Sequence, residues 1–310
     1  MALTDKLTNI ADAIRTQTDT TDKMTLDEMP EKISKLGDIN GYFLESISET
    51  YPTVADFILK LPKLTFVTKK STEATEMRQL RSLFSGYVNL KAVPEIELIN
   101  YDYDYLSLAY MFQGARSVTD ITNLITLLDK YKICDASYML ANCESLSAEK
   151  INEILKHITL IYKPEITANS LKLEYFIVNN QNITELNIPF DTSEVTSIRY
   201  MISDCRNLTT VSAFDCSNVM DIQSPFASCF NIENIGGFIN FGKNLTYKTD
   251  FYLNLPSKVT HESLINILNG LYDISNTEAN GSSLSLGSGM LGKLSDEEKA
   301  IATNKGWNIR

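Results

Sequence analysis

The sequence predicts an α/β solenoid of about six irregular repeats, with a short helical module before them and a helix-and-strand cap after them. Three observations carry this expectation: a nine-residue phrase recurs, apolar residues fill the same columns of every copy, and the period breaks where helix-like insertions enter. The copies are SLFSGYVNL from Ser82, YMFQGARSV from Tyr110, YMLANCESL from Tyr138, YFIVNNQNI from Tyr175, YMISDCRNL from Tyr200 and SPFASCFNI from Ser224. Their third residues, the anchors, are Phe84, Phe112, Leu140, Ile177, Ile202 and Phe226, all apolar. Six positions later stand Leu90, Val118, Leu146, Ile183, Leu208 and Ile232, again all apolar. Nine positions later stand Val93, Ile121, Glu149, Leu186, Val211 and Ile235, with Glu149 the exception. In a chain that is 44% hydrophobic, one full column arises by chance in roughly one case in 140.

The first module, residues 1–38, carries no repeat pattern. Leu3, Leu7, Ile10 and Ile14 share one helical face, with Thr4 as a candidate N-cap. After the polar run Thr16 to Lys23, Thr25-x-x-Glu28 reads as a capping box, and Met29, Ile33 and Leu36 make a second apolar stripe. Helices this short are marginal alone, so both stripes need a partner. Residues 39–79 read as a linker and first cap.

The repeats span 80–246, and their anchors are spaced by 28, 28, 37, 25 and 24 residues. The pattern in LTTVSAF and ITELNI alternates inward and solvated residues, which predicts short strands forming one sheet from about Leu90 to Phe238. The YMF-type stretch before each strand is apolar on successive residues and predicts a turn of helix. Helical insertions are expected at SAEKINEILKHI, with Ile151, Ile154, Leu155 and Ile158, and at THESLINILNGL, with Leu264, Ile267, Leu268 and Leu271. Residues 247–310 read as a closing cap, with a strand at Leu284 to Leu286. The capping box Ser295-x-x-Glu298 then opens a helix that stops near Gly306, and Trp307 covers the open end.

A net charge of −11 supplies no basic footprint for nucleic acid. The opening MALTDKLTNIADAIR has charges where a secretory signal needs an apolar run, and no stretch is long enough to span a bilayer. The expectation is therefore a chain made and, at least initially, kept soluble in a cytoplasm, with no membrane insertion. Cys134, Cys143, Cys205, Cys216 and Cys229 form no CxxC pair, and His157 and His261 lie far from them in sequence. No metal site and no cofactor are expected, and the thiols are read as small core residues.

The phrase F-x-G-C-x-x-L-x-x-I, kept most fully as MISDCRNLTTV and FASCFNIENI, resembles the BspA-type leucine-rich repeats of bacterial surface proteins from about Leu80 to Phe241. That resemblance implies a leucine-rich-repeat solenoid with a binding role. The phrase IADAIR…MTLDEMPEKI resembles a segment at the start of tail-associated and other bacteriophage virion proteins. It implies a virion protein, on tail or capsid, docked on other virion proteins through Leu3, Leu7, Ile10, Ile14, Met29, Ile33 and Leu36. With no fibre-shaft segment following, a compact appendage fits better than a long tail fibre. Such a protein would present its repeats to a host surface glycan or protein, in a homo-oligomer on the particle.

Candidate binding residues are the polar strand positions eight and ten after the anchors: Asp120 and Thr122, Glu185 and Asn187, Thr210 and Ser212. A second candidate is NYDYDYL, where Tyr101, Tyr103 and Tyr105 flank Asp102 and Asp104. Rings beside carboxylates can hold a sugar, and a carboxylate pair can hydrolyse one. Catalysis is the weaker expectation, since no catalytic motif accompanies the pair. The main expectation is a non-enzymatic virion protein; the alternatives are a bacterial cell-surface adhesin and a cell-wall glycosidase.

Overall fold

The structure, a computed structural model, describes residues 63–67, 80–99, 101, 103–163 and 171–310. The helical module expected over 1–38, with the docking stripes at Leu3, Leu7, Ile10, Ile14, Met29, Ile33 and Leu36, lies outside the described residues.

All strand pairing among the described residues is parallel. β1 (Lys63–Val67) pairs with β2 (Glu95–Ile99), and β3 (Tyr105–Ser107) pairs with β4 (Lys132–Asp135). Between β3 and β4 runs α1 (Thr122–Lys130), and α2 (Ala148–His157) follows β4. Short strands then alternate between ladders: β5 (Ile177–Val178), β6 (Glu185–Leu186), β7 (Ile202–Ser203), β8 (Thr210–Val211), β9 (Phe214–Asp215), β10 (Asn234–Ile235) and β11 (Phe238–Ile239). β5 pairs with β7, β9 with β11, and β6–β8–β10 form a three-stranded sheet. The C-terminal part adds β12 (Asp250–Tyr252), α3 (His261–Gly270), β13 (Ser283–Ser285), α4 (Asp296–Thr303) and β14 (Asn308–Ile309), with β12, β13 and β14 in one sheet.

The six phrases stack in register. The anchor amides Phe84, Phe112, Leu140, Ile177 and Ile202 donate to Met111, Met139, Phe176, Met201 and Pro225 of the following phrase, at 2.8, 3.2, 3.1, 2.9 and 2.9 Å. Anchor to anchor, Ile177 stands opposite Ile202. The anchors and the column six residues later are buried throughout, and they join one continuous apolar core.

The expected turn of helix in the YMF stretch is not what forms. Tyr110, Tyr138, Tyr175 and Tyr200 have φ of 62, 58, 52 and 50°. The residues four further on, Gly114, Asn142, Asn179 and Asp204, are left-handed as well, at 76, 59, 54 and 53°. A right-handed helix cannot pass through such residues. Their amides bond across to the neighbouring phrase instead of four residues back.

A single sheet from Leu90 to Phe238 does not form either. Where the second and third repeats would supply strands to the β6–β8–β10 sheet, the chain turns into α1 and α2. Glu149, the exception in its column, is exposed in the first turn of α2.

The column three after the anchors solves a local hydrogen-bonding need. Cys143 Sγ donates to the anchor carbonyl of Phe112 (3.2 Å), Asn180 Nδ2 to that of Leu140 (2.9 Å), Cys205 Sγ to that of Ile177 (3.7 Å) and Cys229 Sγ to that of Ile202 (3.4 Å). At these four of the six positions a small side chain with a donor meets a buried carbonyl, whereas Tyr87 and Ala115 fill the first two.

The helices are capped as their sequences suggest. Ser147 accepts from Lys150 N–H at the start of α2, and Thr260 accepts from Ser263 N–H at the start of α3. In α4, Ser295 and Glu298 form the reciprocal capping box. Lys305 Nζ donates to Leu268, Asn269 and Leu271 carbonyls at 3.2, 2.8 and 2.8 Å, supplying the cation that the last turn of α3 lacks. Trp307 is 1% exposed, stacks on Phe241 at 5.4 Å and donates its indole N–H to Tyr272 O at 2.8 Å. Gly242, at φ 93°, leaves room for it: a Cβ there would come within 2.3 Å of the indole.

Candidate binding surfaces

In the three-stranded sheet Glu185, Thr210 and Asn234 stand opposite one another, and so do Leu186, Val211 and Ile235. The second row is buried in the core and the first faces out, as the alternation of a half-buried strand requires. Both sheet edges are closed by helices. Asn152 of α2 donates to Glu185 O (3.1 Å) and accepts from Asn187 N–H (2.9 Å). Ser263 of α3 accepts from Ile235 N–H at 2.9 Å, while Asn266 donates to Ile235 O at 3.5 Å. The result is a polar floor three strands wide, about 10 Å across at ordinary strand spacing, framed by α2 and α3.

The structure therefore keeps part of the expected strip together. Glu185, Asn187 and Thr210 lie on this floor. Ser212 lies there too, but its hydroxyl accepts from Ile188 N–H at 2.9 Å and is committed to the fold. Asp120 and Thr122 do not continue the row. Asp120 bridges Ala92, and Thr122 begins α1, with its amide and hydroxyl donating to the Asp120 carboxylate at 3.0 and 2.8 Å. Those bonds, the amide first, hold the Asp120 carboxyl below its ordinary range. Asn234 belongs to the floor and was missed; it sits eight residues after the sixth anchor, in the same column as Glu185 and Thr210.

The tyrosines of NYDYDYL form an edge-on cluster instead of a flat sugar platform. Tyr101 meets Tyr103 at 5.4 Å and 62°, and Tyr103 meets Tyr105 at 5.4 Å and 60°. Tyr101 OH donates to Tyr105 O at 2.5 Å, and Tyr105 is buried against Cys134. Burial, the largest cause, raises the Tyr101 phenol well above its ordinary value. Asp104 pairs with Lys132 at 2.8 Å, which lowers its carboxyl; Asp102 lies outside the described residues.

Both histidines bridge elements. His157 Nδ1 meets Asp129 of α1 at 2.6 Å and its Nε2 meets Glu153 at 3.2 Å. His261 Nε2 meets Glu298 of α4 at 2.8 Å. The described cysteines are buried and free. Burial pushes the Cys143 and Cys134 thiols up to about 12. Cys229 is held protonated by its hydrogen bond with Cys205 and by burial. Among the described residues no group of His, Cys, Asp and Glu is arranged to hold a metal ion.

One surface feature escaped the sequence reading. Tyr110, Tyr138, Tyr175 and Tyr200 stack in a half-buried column, with centroids 4.6, 4.6 and 5.0 Å apart and planes within 10, 13 and 28°. Arg81 lies 5.1 Å over the outer ring at Tyr110. Burial, followed by the neighbouring phenols, pushes Tyr138 up to about 12. The signal was in plain view: the first residue of four consecutive phrases is Tyr.

The family described as "Mycoplasma protein of unknown function, DUF285" matches residues 167–244, a stretch that includes β5 through β11 and therefore the polar floor. No curated protein and no solved structure matches the chain.

Proposed function

We propose that this chain is a non-enzymatic structural protein of a bacteriophage virion, a leucine-rich-repeat solenoid docked by its first helices that presents a repeat surface to a host receptor or protein. The framed floor carries the binding part of this reading. Among the described residues, the side chains of Glu185, Thr210 and Asn234 have no hydrogen-bonding partner, while Ser212, Asp120 and Asp104 are engaged by the fold. Carboxylate, hydroxyl and amide groups side by side in one row across three strands suit the hydroxyls of a glycan or the backbone of a peptide. The virion part rests on the phrase IADAIR…MTLDEMPEKI. Parallel pairing of successive phrases supports the solenoid reading.

Two measurements test the proposal. Mass spectrometry of purified virions should find the protein, and labelling should place it on tail or capsid. Replacing Asn187 and Thr210 with arginine should abolish adhesion to host cells while the thermal midpoint stays within a few degrees of the parent. Undiminished adhesion would remove the receptor role from this face.

A further inference from the structure

We propose that Tyr110, Tyr138, Tyr175 and Tyr200 form an oxidative cross-linking site, at which a one-electron oxidant couples neighbouring phenols into dityrosine and staples successive repeats together. The inference is independent of the virion reading and rests on the geometry of the column.

Three features make coupling within the column favourable. The rings lie face to face with centroids 4.6 to 5.0 Å apart and planes within 10 to 28° of parallel, so adjacent phenols start a short displacement from bonding. The backbones are pinned in register, since Tyr110, Tyr138 and Tyr175 donate to Ser137, Glu174 and Arg199 carbonyls at 2.8, 3.0 and 3.2 Å. Left-handed φ at every rung fixes where each ring leaves the chain, so the phenols are held together without a search. The column is also half exposed, so its rings stand at the surface, within reach of an oxidant in solution. It ends abruptly, because the flanking phrases begin with Ser82 and Ser224.

The chemistry balances with peroxide as oxidant and a haem peroxidase relaying its electrons singly. Each of two phenols gives one electron to the relay and its hydroxyl proton to water. The two phenoxyl radicals join ortho carbon to ortho carbon. Each ring then loses its ortho hydrogen as a proton to water, and each oxygen regains one, restoring two phenols. Per link the protein loses two electrons and two protons, and one peroxide becomes two waters.

Two other sets of described tyrosines provide internal comparisons. Tyr101, Tyr103 and Tyr105 meet edge-on, with Tyr105 buried, so their rings do not lie face to face as those of the column do. Tyr247, Tyr252 and Tyr272 are exposed singly, so links through them join separate molecules and grow with concentration.

The test treats dilute full-length protein with a haem peroxidase and peroxide, isolates the monomer, and reads dityrosine fluorescence and the mass of linked peptides. The expected links join Tyr110 to Tyr138, Tyr138 to Tyr175 or Tyr175 to Tyr200, each lighter than the separate peptides by two hydrogen atoms. Tyr138→Phe keeps a ring in the stack and removes one coupling partner, so it should leave only Tyr175–Tyr200 links. Tyr138→Phe with Tyr175→Phe leaves no adjacent phenols and should abolish monomer dityrosine. Should the double variant fail to fold, the peptide map of the parent decides alone. Links mapping elsewhere, an unchanged signal in a folded double variant, or no monomer dityrosine in the parent would each overturn the proposal.

Discussion

At the scale of single residues, the column three after the anchors shows how closely chemistry follows the backbone. Asn180 does the work of the cysteines around it, donating to Leu140 O, but its Oδ1 is buried without a partner. Asn180→Cys retains a donor and removes the orphan acceptor. It is expected to be neutral or to stabilise by up to about 1 kcal/mol, read as a shift in the urea midpoint at constant slope. Ile202→Asp, by contrast, places a carboxylate at a fully buried anchor and should cost about 3–5 kcal/mol, seen as loss of the cooperative melt. These columns were legible in the sequence because burial selects apolar identity at fixed spacing. The left-handed tyrosines were not, because propensity assigns positive φ to Gly, Asn and Asp, not to Tyr. The second left-handed position, with Gly86, Gly114, Asn142, Asn179 and Asp204, did advertise itself by residue type, with Ser228 of the sixth phrase the exception.

Among the elements, the two helical insertions followed directly from sequence, whereas α1 did not, since its N-cap residue is Ile121, whose side chain cannot cap. Strand-like alternation at Asp120 and Thr122 was overridden once the Asp120 carboxylate turned to hold the first amide of a helix. That substitution of helix for strand is why the expected strip shrinks to Glu185, Asn187, Thr210 and Ser212, with Asn234 added. The contact between α1 and α2 should depend on pH. His157 is raised above its ordinary 6.5 chiefly by its hydrogen bond to Asp129. A group raised on folding contributes fully below its unfolded value, and that contribution fades as pH climbs through the folded value. The thermal midpoint of the parent should therefore decline over a pH range starting near 6.5, and His157→Gln should flatten that decline. Identical profiles would show that the bridge adds nothing. Lys305→Met removes three hydrogen bonds at the end of α3 and should cost about 1–3 kcal/mol by chemical denaturation.

For the whole molecule, each repeat bonds mainly to its two neighbours, so stability is distributed along the array and not gathered at one centre. A chain starting near Gly41 is expected to stay folded and, on the virion proposal, to be missing from particles; aggregation or a much lower melting point would make the first 36 residues a cap. The other end carries its own reporter. Trp307 is the sole tryptophan, and it is wedged against Phe241 and Phe251 in the last described unit. Its emission is therefore a local optical probe, blind to the six phrases, whereas far-ultraviolet ellipticity averages over every unit. Among the described residues the unit around Trp307 has repeats on one side only, so it should let go first. The red shift of the indole should precede the loss of ellipticity as denaturant rises, and the gap between the two curves would measure how tightly the terminal unit is coupled to the rest.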